Sequence, residues 1–120
     1  MWREVLADPS TRSFVARDGD HIVGVLNVGP FRGEEATGEV RVLYVLPEWW
    51  GSGAGQRLLQ RAHRELADEF DEAMLTVLTT NTRARRFYER NGWRLSEVVV
   101  EPHFGGRPAE VARYCRALQR

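Results

Sequence analysis

The stretch from residue 39 to residue 78 changes its apolar period twice. EVRVLYVL (39–46) is rich in β-branched and aromatic residues and alternates as a strand does, until Pro47 ends it. The alternation predicts Glu39, Arg41, Leu43 and Val45 on one side, and Val40, Val42, Tyr44 and Leu46 on the other. From Gly53 the period becomes helical: Leu58, Leu59, Ala62, Leu66 and Phe70 recur at steps of three and four and form one apolar stripe. MLTVL (74–78) then reads as a buried strand. Two strands joined through a helix make a parallel pair, because a hairpin turn cannot connect parallel neighbours.

The flanks read differently. RSFVAR (12–17) and HIVGVLNV (21–28) are separated by Asp18-Gly19-Asp20, a hairpin signal. GPFRGEEATG (29–38) is turn-rich and predicts a loop. Asn81 or Thr82 suits the N-cap of a helix over 82–90, and Asn91-Gly92 suits its end. WRLSEVVV (93–100) and EVARYCRAL (110–118) are strand candidates, with turn-rich EPHFGGRP (101–108) able to make them a hairpin. WREVLAD (2–8) predicts a short helix closed by Pro9 and Ser10. The sum is an α/β chain of the α+β type. It has one mixed, mostly antiparallel sheet with a central parallel βαβ pair and flanking helices. A chain of 120 residues suits a single domain spanning 1–120.

Composition narrows the function. The formal net charge of +0 argues against broad electrostatic binding to nucleic acid or an anionic membrane. No segment approaches the roughly 20 apolar residues of a membrane span, and MWREVLADPSTR lacks the apolar run of a signal peptide. The lone cysteine, Cys115, excludes an intrachain disulfide and a four-thiolate metal site; it suits a reducing, cytoplasmic setting and reads as core.

Between the first parallel strand and its helix lies WWGSGAGQRLL (49–59). Glycines here allow close backbone approach and leave N–H groups free at a helix N-terminus, which favours an anion such as phosphate. A plain turn is the alternative. A P-loop is excluded, because no Lys stands near. The dinucleotide fingerprint fails too: its third glycine falls on Gln56 or on Leu58, depending on register.

VLPEWWGSGAGQRLL resembles the acetyl-CoA-binding motif of the GNAT superfamily of N-acetyltransferases, and NTRARRFYERNGWRL resembles that family's second signature. The two occur in the family's order, and the similarity runs from about residue 12 to residue 118. The resemblance implies that Gly51, Ser52, Gly53, Ala54, Gly55 and Gln56 offer backbone N–H groups to the CoA pyrophosphate. It implies that Leu43, Tyr44 and Val45 pair with the pantetheine arm, and that the Val45 N–H meets the thioester oxygen. Asn81 is similar to the family's pantetheine-contacting Asn, and Tyr88 to the acid that protonates the departing thiolate. Helix geometry independently sets Asn81, small Ala84 and Tyr88 on one face; without the motif, Tyr88 reads as a core tyrosine with a satisfied hydroxyl. Trp50 departs from the pattern, standing where the family has Arg or Gln. Weaker CoA binding is therefore expected, and Arg57 or Arg41 are the nearest substitutes.

The general base is open. Glu39 starts the central strand and matches a catalytic glutamate of some family members; the alternative is a solvated carboxylate at a strand end. The position used by other members is Thr76, which cannot serve. Glu34 and Glu35 are further acceptor-binding candidates. His63 is expected to be exposed, and His103 borders the acceptor region. Arg83, Arg86 and Arg90 form a basic stripe: a solvated face, or a contact for the CoA 3′-phosphate or an acidic substrate.

The resemblance implies an acetyl-CoA-dependent N-acetyltransferase acting on a small-molecule or peptide amine, with no metal. The rival is a CoA-binding or scaffold module without catalysis. Family members usually carry a strand and helices ahead of the first hairpin. The expectation is thus a short form lacking the first strand and helix, with a homodimer partner supplying the missing acceptor wall.

Overall fold

The computed structural model describes residues 2–8, 11–31 and 34–118. Its strands and helices are, in chain order, β1 (Trp2–Asp8), β2 (Thr11–Asp18), β3 (His21–Phe31), β4 (Glu34–Val45), α1 (Ala54–Ala67), β5 (Glu72–Leu78), α2 (Thr82–Arg90), β6 (Arg94–Phe104) and β7 (Arg107–Ala117). One 3-10 turn, Pro47–Trp49, leads from β4 towards α1. The strands form a single seven-stranded sheet in the order β1-β2-β3-β4-β5-β7-β6. Only β4 and β5 run parallel, as the helical crossover between them requires.

Three sequence expectations are corrected. Residues 2–8 form a strand, not a helix, because they pair antiparallel with β2. A helix of that length is marginal alone, whereas a strand satisfies its backbone on a neighbour. The closing Pro9 and Ser10 lie outside the described residues. Residues 29–31 extend β3 and residues 34–38 extend β4, where a loop was expected, through pairs such as Gly29↔Glu39 and Pro30↔Gly38. Among the described residues the β2–β3 pairing reaches no further than Val28, so no described partner of β2 calls on the N–H that Pro30 lacks. In the same way β6 and β7 run into the glycine-rich link, leaving Gly105-Gly106 as a two-residue turn with both φ angles positive.

The third correction decides the site. β4 carries a β-bulge: Val28 pairs with Val40, but the next residue back, Asn27, pairs with Val42, leaving Arg41 extra. One added residue inverts the side-chain alternation beyond it. Gly38 and Val40 therefore share the α1 face with Leu43 and Val45, while Glu39 shares the opposite face with Val42 and Tyr44. The simple alternation had put Glu39 with Val45.

Helix α1 lays Leu58, Leu59, Ala62 and Leu66 on the sheet against Phe14, Leu26, Val28 and Val40, all buried. Each large apolar side chain so buried contributes about 1.5–3 kcal/mol. The helix approaches closely because Gly24 and Gly38 lie beneath it; a Cβ there would come within 2.9 Å of Leu58 Cδ1 and 2.8 Å of Leu66 Cδ2 respectively.

Candidate active site

β4 and β5 pair only over Thr37↔Glu72, Gly38↔Ala73 and Glu39↔Met74. Past Glu39 the two strands part. β5 stays paired to β7 along its whole length, and β4 stays paired to β3. The bulge at Arg41 adds local twist just where the strands separate. A cleft opens in the middle of the sheet, with the far half of β4 as one wall.

The backbone of that wall can be read from its register. Leu46 N–H donates to Val23 C=O at 2.9 Å, so hydrogen-bonded pairs fall at Leu46↔Val23 and, two residues back, Tyr44↔Val25. Leu43 and Val45 are the alternate residues, and their N–H and C=O groups point away from β3 into the cleft. Tyr44, grouped with them in the sequence reading, turns its backbone to β3 instead. The Val45 C=O accepts Trp50 Nε1–H at 2.9 Å, which leaves the Val45 N–H as the donor aimed into the cleft.

The glycine turn closes the end of this wall. Gly51 and Gly53 have φ +83° and +92°, a conformation L side chains rarely adopt, and Gly53 is the N-cap of α1. The Ser52 N–H is spent on Trp49 C=O, and the Ala54 N–H on Ser52 Oγ. The amides of Gly51, Gly53, Gly55 and Gln56 have no acceptor among the described residues. Together with the positive end of the α1 dipole they make an arrangement able to receive an anion. The Gln56 side chain faces elsewhere, donating to Asn91 Oδ1 at 2.7 Å.

Helix α2 forms the other wall. Asn81 Oδ1 caps it, accepting the Ala84 N–H at 3.1 Å, so this residue holds the helix start that the capping signal predicted. Tyr88 is buried, its ring edge-on to Phe87 and Trp93 at centroid distances of 5.3 and 6.1 Å. Burial pushes its pKa up to about 12. Its hydroxyl has no hydrogen-bond partner among the described residues. Arg83 stacks over the Trp50 ring, with its Cζ 4.2 Å from the centroid.

Glu39 stands on the last parallel rung, at the apex of the cleft, and is only 3% exposed. It is not the solvated strand-end carboxylate that the sequence left open. Arg41 Nε lies 3.4 Å from its Oε1, while Arg41 Nη2 donates to Pro30 C=O at 2.6 Å. The side chains of Glu34 and Glu35 lie outside the described residues. His21 and His103 are exposed, and Cys115 is half-buried.

His63 is also corrected: it is half-buried and accepts Trp93 Nε1–H at 3.1 Å on Nε2. Desolvation, and then the charge of Arg116, lower its pKa to about 4. The helical stripe did not signal this, because Trp93 comes from a different element. No group of three or more metal-ligating side chains is found among the described residues, and no described helix is long and apolar enough to cross a membrane.

Similarity to known proteins agrees with this geometry. An uncharacterised N-acetyltransferase of Mycobacterium bovis is 34% identical over 97 residues, which make up 78% of this chain and 59% of that protein. The mycothiol acetyltransferase of Streptomyces griseus is 40% identical over 92 residues, 76% of this chain and 29% of its own. The chain thus spans less than two thirds of the length of either relative. Among solved structures, a nourseothricin acetyltransferase superposes with TM-score 0.81 at 22% identity, covering 92% of this chain and 67% of that one. A GNAT family acetyltransferase from Elizabethkingia anophelis, solved with acetyl-CoA bound, gives TM-score 0.75 at 15% identity, covering 91% and 77%. These two share the fold. The split sheet and glycine cradle, built from residues 37–56, fall inside the 1–93 segment that matches the acetyltransferase (GNAT) family, and to that family the chain belongs.

Proposed function

We propose that the protein moves an acetyl group from acetyl-CoA to a small-molecule or peptide amine, with both substrates bound together. The observation that carries this reading is the Val45 N–H, aimed into a cleft that has an anion cradle at one end and the Tyr88 hydroxyl on the facing helix. The Leu43 and Val45 backbone groups pair with the pantetheine arm as a neighbouring strand would, and the free amides of the glycine turn hold the pyrophosphate. The amine nitrogen attacks the thioester carbon. Charge builds on the carbonyl oxygen, where the Val45 N–H is already pointed. The carbon–sulfur bond then breaks, the thiolate leaves, and the proton given up by the new amide nitrogen ends on the departing sulfur, so that the products are the amide and free CoA thiol.

The state of Tyr88 refines its role. A phenol held at about 12 stays protonated at neutral pH and is a weaker acid than a thiol of ordinary pKa near 8.5. It stabilises the leaving sulfur by donating a hydrogen bond as negative charge develops, and it keeps its own proton. Tyr88→Phe should lower turnover about 10- to 100-fold with acetyl-CoA affinity unchanged, as read by thiol release against an amine panel. Equal turnover would remove Tyr88 from the mechanism.

The buried pairing of Glu39 with Arg41 favours a second reading, a CoA-binding module without catalysis. Acetyl-CoA binding with no turnover on any amine would select it. The exposure of Val42 and Tyr44 on the sheet face opposite α1 supports a second copy of the chain closing the acceptor side. Light scattering that shows only monomer at high concentration would count against the dimer.

A further inference from the structure

The first turn of α2 carries a cation where electrostatics disfavours one. Arg83 is the second residue of that helix, at the positive end of its dipole. It has no carboxylate partner among the described residues. What holds it is the Trp50 ring, 4.2 Å from its Cζ. Trp50 is itself pinned by its Nε1–H on Val45 C=O. The stacked pair therefore bridges the mouth of the cleft, from the end of β4 past the glycine turn to α2.

An exposed cation–π contact is weak and does little more than orient the group. Stacking uses only the face of the guanidinium; its N–H groups radiate from the rim and stay available for a planar or tetrahedral anion. Close by, the amides of Gly51, Gly53, Gly55 and Gln56 are also without acceptors. Two independent sets of donors thus border one mouth, and neither is spent on an acceptor among the described residues.

The two substitutes suggested by the sequence are placed less well. Arg41 is held by Pro30 C=O and Glu39, on the bulge. Arg57 lines a pocket with Ser52 and Ala54 of the turn, on the side of Arg17, Asp18 and Val23 of the β2–β3 hairpin, which is the side away from α2.

We propose that Arg83, oriented by Trp50, is the side chain that neutralises the pyrophosphate of acetyl-CoA at the glycine turn. The charge that Trp50 removes from the turn is returned from α2. This rests on the acetyl-CoA reading above and names a residue within it.

Calorimetry with three probes tests it: acetyl-CoA, acetyl-3′-dephospho-CoA and S-acetylpantetheine, which lacks both phosphate sites. Arg83→Ala should weaken the two nucleotide thioesters about tenfold and leave S-acetylpantetheine unchanged. Trp50→Leu, which removes the stacking face, should weaken the same two ligands in the same direction. Arg57→Ala should change none by more than about twofold.

A loss confined to acetyl-CoA would assign Arg83 to the 3′-phosphate and overturn the proposal. Equal loss on S-acetylpantetheine would show a merely structural role and overturn it too, as would no loss at all. If the wild-type chain binds no acetyl-CoA, the parent reading falls and takes this one with it; binding that is indifferent to Arg83 removes only the proposal.

Discussion

The two halves of β4 make an instructive contrast. Gly38 and Glu39 are paired on both sides, to β3 and β5, with α1 packed over Gly38. Leu43 and Val45, a few residues on, are paired on one side only. The first half is built for cohesion, and the second keeps backbone donors and acceptors in reserve. The bulged residue Arg41 separates them, so a single extra residue in one strand divides scaffold from site.

The sharpest way to break the contrast is to attack the first half. Leu58 is fully buried and lies against the Gly24 backbone, so Leu58→Ala should cost about 2–5 kcal/mol in urea unfolding. A smaller loss would mean that the helix can collapse onto the sheet. A milder perturbation comes from His63. Its pKa is about 4 in the folded protein against 6.5 unfolded, so the unfolded chain binds more protons between those values. The His63–Trp93 contact should therefore contribute fully above pH 6.5 and fade as the pH falls towards 4, by about 1–2 kcal/mol once partial exposure is allowed for. Denaturation midpoints of wild type and His63→Gln, compared across that range, read the difference; parallel curves would overturn it. The smallest effect belongs to the second half: Tyr88→Phe removes a hydroxyl without a described partner and keeps the ring, so stability should change by less than about 0.5 kcal/mol even as turnover falls.

Much of this architecture was legible in the sequence. The alternation of 39–46, the helical stripe from Leu58 to Phe70 and the apolar run 74–78 announced the parallel pair, because period reports directly on which face is buried. Asn81 announced a helix start, and it caps one. What stayed hidden depends on partners distant in sequence. Residues 2–8 became a strand because β2 was there to pair with. The faces of β4 were misread because a bulge exists only relative to β3. Arg83 looked like part of a solvated stripe; only the approach of Trp50, from the other side of the cleft, singles it out from Arg86 and Arg90.

One short bridge has a mechanical consequence. Gln56 Nε2 donates to Asn91 Oδ1 at 2.7 Å, and Asn91 Nδ2 in turn donates to Phe87 C=O at 2.9 Å. The start of α1 is thereby bolted to the end of α2, one turn from Tyr88. The bridge acts as a spacer that favours one gap between the two helices before anything enters. Each such tie made before binding lowers the conformational entropy that closing around a guest would cost.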